Sequence, residues 1–255
     1  MTTHFSTIGL PLDTESEMIA FIEKVSEDAE LVGGPWGSYL RWEAGDGTEL
    51  WIQADTEDDL VGLAPHFTGK GRVRAGVNVR FRRPGESDLD GSLHAWAEPE
   101  DERCEDGAYP FVFDCPDVRT HDRRTLPWIG ALQVAAFAHE LMYEPSEAAW
   151  EARREAEGTV FAARSFLPAG LFDPEGNAEK DPTAHAILTG IVLEAELRKN
   201  PATGDSYWWA LVESFAGTYD VVIDPSLVTV PIAAGGVVSG MFWLSGRLIL
   251  GNESA

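Results

Sequence analysis

Trp128-Ile129-Gly130-Ala131-Leu132-Gln133-Val134-Ala135-Ala136-Phe137-Ala138-His139-Glu140-Leu141-Met142-Tyr143-Glu144 decides how the chain is divided. The run is rich in alanine, a strong helix former, and Trp128, Ile129, Leu132, Ala136 and Tyr143 fall on one side of a helix. Pro145 closes it, because proline cannot continue a helix. Ser146 is then placed to cap a second helix over 147–157, whose surface is almost wholly charged. Residues 123–158 therefore read as a helical connector. The sequence on either side reads as strands. The expected class is α+β: a sheet domain with one packed helix over 1–122, the connector, and a small β-barrel domain over 159–255.

In the first part, residues 4–12 read as a strand ending at Pro11 and Asp13. Thr14 and Glu17 then have the spacing of a capping box, in which hydroxyl and carboxylate each serve the other residue's backbone amide. Met18, Ile19, Ile22, Val25 and Ala29 follow at helical intervals, so one stripe of that helix should lie on a sheet. Strands over 38–43 and 49–54 flank an Asp46-Gly47 turn, which is a hairpin signal. Over 72–82, Val73, Ala75, Val77, Val79 and Phe81 alternate with Arg72, Arg74, Asn78, Arg80 and Arg82, one face buried and the other basic. Strands over 92–97 and 109–113 enclose an acidic turn around Cys104.

In the last part, 163–180 is rich in Pro, Gly and Asp and reads as looped or extended. A long strand over 186–198, a turn at 200–204, and strands over 206–215, 219–223 and 236–250 follow. Several twisted antiparallel strands with glycine at the bends suggest a small closed barrel. Trp208 and Trp209 are neighbours in a strand and must point to opposite faces. Ala210 and Val212 suit the interior on the Trp208 side, so Tyr207 and Trp209 are the expected exposed, partner-binding face.

Composition bounds the function. The 43 acidic residues against 19 basic ones give a formal net charge of −24. Such a field repels nucleic-acid backbones and anionic lipid surfaces and favours cationic ligands or basic protein patches. No stretch reaches the roughly 18 apolar residues of a membrane span, and no signal-peptide pattern opens the chain, so a cytoplasmic protein is expected. Cys104 and Cys115 read as free thiols of a reducing compartment.

Two resemblances stand beside this reading. The order strand, helix, strand, strand, strand over 3–82 resembles one module of the vicinal oxygen chelate superfamily, the glyoxalase and bleomycin-resistance proteins. The residues that carry it are His4-Phe5-Ser6-Thr7-Ile8-Gly9-Leu10 and Asp46-Gly47-Thr48-Glu49-Leu50-Trp51. The resemblance implies a divalent metal held by His4 and Glu49, with His94 and Asp114 the nearest further candidates. Between Phe81 and Ser92 there is no room for the second module's helix. Residues 183–250 resemble an OB-fold barrel, which implies single-stranded nucleic acid stacked on aromatics. The basic groove that such binding needs is missing: Arg198, Lys199 and Arg247 face six carboxylates over this stretch.

The remaining signals exclude more than they assign. His4, His66, His94, His121, His139 and His185 form no His-x-His or zinc-helix signature, and no Gly-x-Ser-x-Gly elbow, Walker loop or dinucleotide fingerprint occurs. No organic cofactor is implied. The expected function is a non-enzymatic binding or interaction module for a protein or small ligand. The alternatives are a metal-dependent enzyme of the oxygen-chelate type and, disfavoured by charge, a nucleic-acid-binding barrel.

Overall fold

A computed structural model describes residues 3–158, 161–172 and 181–250. A 3-10 turn at Ser6–Ile8 precedes helix α1 (Glu15–Val25), and four strands follow: β1 (Glu30–Gly34), β2 (Gly37–Glu43), β3 (Thr48–Ala54) and β4 (Leu60–Phe67). Next come β5 (Val73–Phe81), β6 (Ser92–Ala97), β7 (Tyr109–Asp114), β8 (Trp128–Glu144), helix α2 (Glu147–Glu157) and β9 (Ser165–Leu167). The last strands are β10 (His185–Lys199), β11 (Ser206–Ser214), β12 (Gly217–Ile223) and β13 (Val237–Ile249). The α+β class holds, with β structure dominant. Among the described residues no helix is long and apolar enough to cross a membrane.

The first four strands form an antiparallel sheet in the order β1-β2-β3-β4. The other nine form a second sheet, in which β8 joins β5, β12 and β13, and β10 joins β9, β11 and β13. This larger sheet thus draws strands from both sides of the 123–158 segment. One apolar core, built from residues such as Val77, Phe111, Leu132, Val212 and Phe242, fills the space inside it. A second core lies between the two sheets, where Leu50, Ile52 and Phe67 meet Ala135, Phe137, Val222 and Trp243. Phe21 and Val25 of α1 and the N-terminal Ile8, Leu10 and Leu12 seal its edge. The capping box of α1 is complete, and Phe21 packs edge-on to Trp42.

The expected helical connector is corrected. Residues 128–144 are a single strand of 17 residues, and only 147–157 are helical, capped by Ser146 as expected. The middle of β8 is buried on both faces, so it has no polar–apolar alternation to betray a strand, and composition took over. Its alanines are small for a packing reason: Ala138 stands opposite Phe242 and Ala136 opposite Leu244.

Three further differences follow from tertiary context. Residues 4–12 form no strand; Gly9, at φ 70°, turns the chain inward to bury Ile8 and Leu10. Its carbonyls are served by side chains instead of a ladder, with Asn200 Nδ2 donating to Ile8 O at 2.9 Å and Thr203 Oγ1 to Gly9 O at 2.6 Å. β1 and β4 had no reading in sequence, since β1 ends in Gly33-Gly34 and β4 contains Pro65. That proline is tolerated because β4 is an edge strand. In β5 the alternation breaks at a bulge between Val77 and Val79, which leaves Val79 exposed. The expected looped segment over 163–180 holds β9, and its residues 173–180 lie outside the described residues.

Candidate functional site

The two sheets meet across a row of buried polar side chains. His66 of β4 is fully buried and bonds Ser245 Oγ of β13 through Nδ1 at 2.8 Å and Gln133 Oε1 of β8 through Nε2 at 3.0 Å. Gln133 Nε2 donates to Phe67 O and to Asp220 Oδ2, so its Oε1 must accept, and His66 therefore carries its proton on Nε2. Burial lowers the His66 pKa to about 4, and the imidazole is neutral near pH 7. Asp220, also fully buried, accepts from Trp209 Nε1, Lys70 N, Gly71 N and Gln133 Nε2, all within 3.0 Å.

Beside this row the sheets part and leave a cavity of about 290 Å³. Its walls come from Gln53 of β3, Pro65 of β4, Glu86 and Asp90 of the β5–β6 loop, Asp114 of β7 and Trp243 of β13, and His4 and Phe5 close one end. Each carboxylate is held in place. Gln53 Nε2 donates to Asp90 Oδ1 at 2.8 Å, and Trp243 Nε1 to Asp114 Oδ2 at 2.7 Å. Arg83 bridges Glu86 at 2.8 Å and Asp114 at 2.9 Å. Three carboxylates in the lining, with one guanidinium paired to two of them, leave the cavity net negative.

At the His4 end three histidines gather. The His4 ring stacks on Trp243 with centroids 4.2 Å apart, and its Nε2 lies 2.8 Å from His139 Nε2. The His185 ring centroid is 5.4 Å from that of His139. His139 owes its placement to a bulge: Met241 pairs with Glu140 and Phe242 with Ala138, so His139 stands outside the ladder and its ring is re-aimed. Burial, then the neighbouring His139 and His185, lower the His4 pKa to about 4, and burial lowers those of His139 and His185 as well. The cluster is neutral at pH 7.

No known protein family, curated protein or solved structure matches this chain. Its residues must speak for themselves. Of the residues named through the oxygen-chelate resemblance, His4, Glu49, His94 and Asp114, only His4 and Asp114 share the cavity. His4 lies at the cavity, which neither Glu49 nor His94 lines. The Glu49 oxygens are taken by Arg41, Trp51 Nε1 and Thr68 Oγ1. Although burial opposes its charge, His66, Arg41 and Arg247 keep the Glu49 carboxyl below the ordinary range. His94 Nδ1 pairs with Asn78 Oδ1 at 2.7 Å on β6.

The expected exposed face of β11 is corrected too. Tyr207 and Trp209 are the buried pair, at 0% and 3% exposure, and Trp208 is the half-exposed one. Their polar ends explain the inversion. Tyr207 Oη donates to Asp46 Oδ2 at 2.7 Å and Trp209 Nε1 to Asp220, so both rings are satisfied under the first sheet. Sequence reasoning missed Glu86, Asp90, His139 and His185. Nothing local marks them, since they come from the β5–β6 loop, β8 and β10, which only the assembly of the larger sheet brings together.

Proposed function

We propose that the protein is a binding module for a small cationic molecule, an amine or guanidine, held in the cavity between the two sheets. The observation that carries this reading is the lining itself: Glu86, Asp90 and Asp114, with Arg83 paired to two of them, and a neutral His4 and the Trp243 indole beside them. Fixed carboxylates in a partly desolvated cleft attract a cation more strongly than they do in water, and charge-assisted hydrogen bonds give it orientation. At about 290 Å³ the cavity is at the small end for ligand sites, which suits a compact ligand. The chain's net charge of −24 raises the local concentration of cations around it. The closed ring of pairings β8-β13-β10-β11-β12 supports reading these strands as a small barrel that gives the cavity a rigid floor.

Thermal unfolding in matched series tests the proposal: propylamine, benzylamine and guanidinium against propanol, benzyl alcohol and propionate. A ligand at a hundred times its Kd stabilises by about 2.7 kcal/mol, or roughly 5–10 °C in Tm for a chain of this size. The cations should give such shifts and the neutral and anionic analogues should not, and Asp90→Asn should reduce the response. Equal shifts across the three charge classes, or none at all, would overturn the assignment.

A further inference from the structure

We infer that Cys115, Asp117 and His121 form a binding site for a borderline-soft divalent metal ion of the zinc class. Cys115 also lines the cavity, next to Asp114, but the site uses none of the cavity's three carboxylates and does not rest on the amine reading. It lies where β7 runs out into a 3-10 turn at Val118–His121. That turn brings three donors from a seven-residue span, 115–121, onto one spot. Cys115 Sγ is 3.1 Å from Asp117 Oδ1, His121 Nε2 is 3.4 Å from the same oxygen, and all three donor atoms lie within 4.8 Å of one another. The residues are 3%, 4% and 5% exposed.

The spacing suits metal ligation. Zinc bonds of about 2.3 Å to sulfur and 2.0–2.2 Å to nitrogen or oxygen, at tetrahedral angles, place donor atoms roughly 3.3–3.6 Å apart. The two separations from Asp117 Oδ1, 3.1 and 3.4 Å, need shifts of at most about half an ångström, and the Sγ–Nε2 pair, within 4.8 Å, closes onto the ion by a side-chain adjustment.

A second observation is independent of that spacing. His121 Nε2 is buried and lies 3.4 Å from Asp117 Oδ1, a long contact that does not reach good hydrogen-bond geometry. An orphaned buried ring nitrogen costs about 1–3 kcal/mol, so a purely hydrogen-bonded knot accounts for the thiol and leaves the histidine unexplained. A metal ion bound by all three satisfies it.

Charge and donor type agree. Binding breaks the Cys115 S–H bond, releases the proton to solvent and forms an S–metal bond, with no redox change. Thiolate and carboxylate then neutralise the dication. Asp117 Oδ2 meanwhile accepts from Arg247 Nε at 3.1 Å, which fixes the carboxylate's orientation as an outer partner should. A sulfur, nitrogen and oxygen set selects zinc-like ions over magnesium or calcium. Three protein ligands leave a fourth position for a water or a small anion. A Cys-x-Asp-x-x-x-His run is legible in sequence, but only the turn shows that its members converge.

The test is a cobalt titration of the reduced protein. The site predicts about one Co2+ per chain, with a thiolate-to-cobalt charge-transfer band and tetrahedral d–d bands that zinc abolishes. Cys115→Ser should lose the charge-transfer band. His121→Gln should weaken cobalt binding by more than the ~10–100-fold that loss of an outer hydrogen-bond partner costs. X-ray absorption on the zinc-loaded native chain does not depend on how the variants fold; it should give one sulfur at about 2.3 Å with the remaining neighbours nitrogen or oxygen. No thiolate band at saturating cobalt, or a zinc shell with no sulfur or with more than one, would overturn the inference.

Discussion

Replacing His66 by Gln tests whether the polar row between the sheets works as described. The imidazole is fully buried, donates through Nε2 to Gln133 and accepts through Nδ1 from Ser245. Its pKa falls from the ordinary 6.5 to about 4, because burial disfavours the charged form. The unfolded chain takes up a proton near pH 6.5, whereas the folded chain resists it until about pH 4. Stability from this group is therefore complete above pH 6.5 and is lost as pH falls toward 4. At 1.36 kcal/mol per unit, the full loss is roughly 3 kcal/mol, and about 2 kcal/mol of it has gone by pH 5. Glutamine keeps one donor and one acceptor but does not titrate. The variant should be about 1–2 kcal/mol less stable at pH 7, from imperfect bond geometry, and the gap should close or reverse by pH 5. Urea unfolding followed by tryptophan fluorescence at pH 7, 6 and 5 reads this directly. If the two proteins lose stability in parallel over that range, His66 is not a buried neutral group and the assignment of the row is wrong.

Two more outcomes follow from the same geometry. Asp220→Ala leaves the Trp209 indole and three other donors without their acceptor, so it should cost at least about 3 kcal/mol in urea unfolding; a loss under 1 kcal/mol would contradict the bonding given to Asp220. Gly240→Ala would set a Cβ only 1.9 Å from Glu140 O at the bulge that aims His139. That variant should be destabilised by about 2 kcal/mol or more and should lose amine-induced stabilisation out of proportion. A fold and a binding response equal to those of the native chain would show that the bulge does not set the His139 position.

How much of this was legible follows a physical line. Elements marked by turn residues, a cap or a run of β-branched and aromatic residues were readable. The Asp46-Gly47 hairpin, the capping box at Thr14 and Glu17, and the strands β6, β7 and β10 to β13 all form near the expected residues. The alanine-rich β8 was not. In β8 the signal that separates strand from helix is erased by burial, and the alanines demanded by Phe242 and Leu244 imitate a helix. Trp208 and Trp209 show the same limit. Neighbouring apolar residues could place the pair on opposite faces, but which face is inside depends on Asp46 and Asp220, which are remote in sequence from Tyr207 or lie on the next strand from Trp209. For the cavity, the acidic composition pointed toward cations, and His4 and Asp114 were named only as metal-ligand candidates, while its other residues stayed hidden. Asp90, Asp114 and Trp243 come from distant segments that the larger sheet assembles, and Gln53 joins them only when the smaller sheet docks on it.

The most direct test of the central claim is an amine titration of the 15N-labelled protein, followed at the tryptophan indole N–H signals. The Trp243 signal is identified by its absence from the Trp243→Phe spectrum. Because Trp243 Nε1 donates to Asp114 in the cavity wall, its signal should move saturably with the amine that stabilises best, and the matched alcohol should leave it in place. Should the amine shift only other indoles, or shift Trp243 no more than the alcohol does, the cavity is not a cation site.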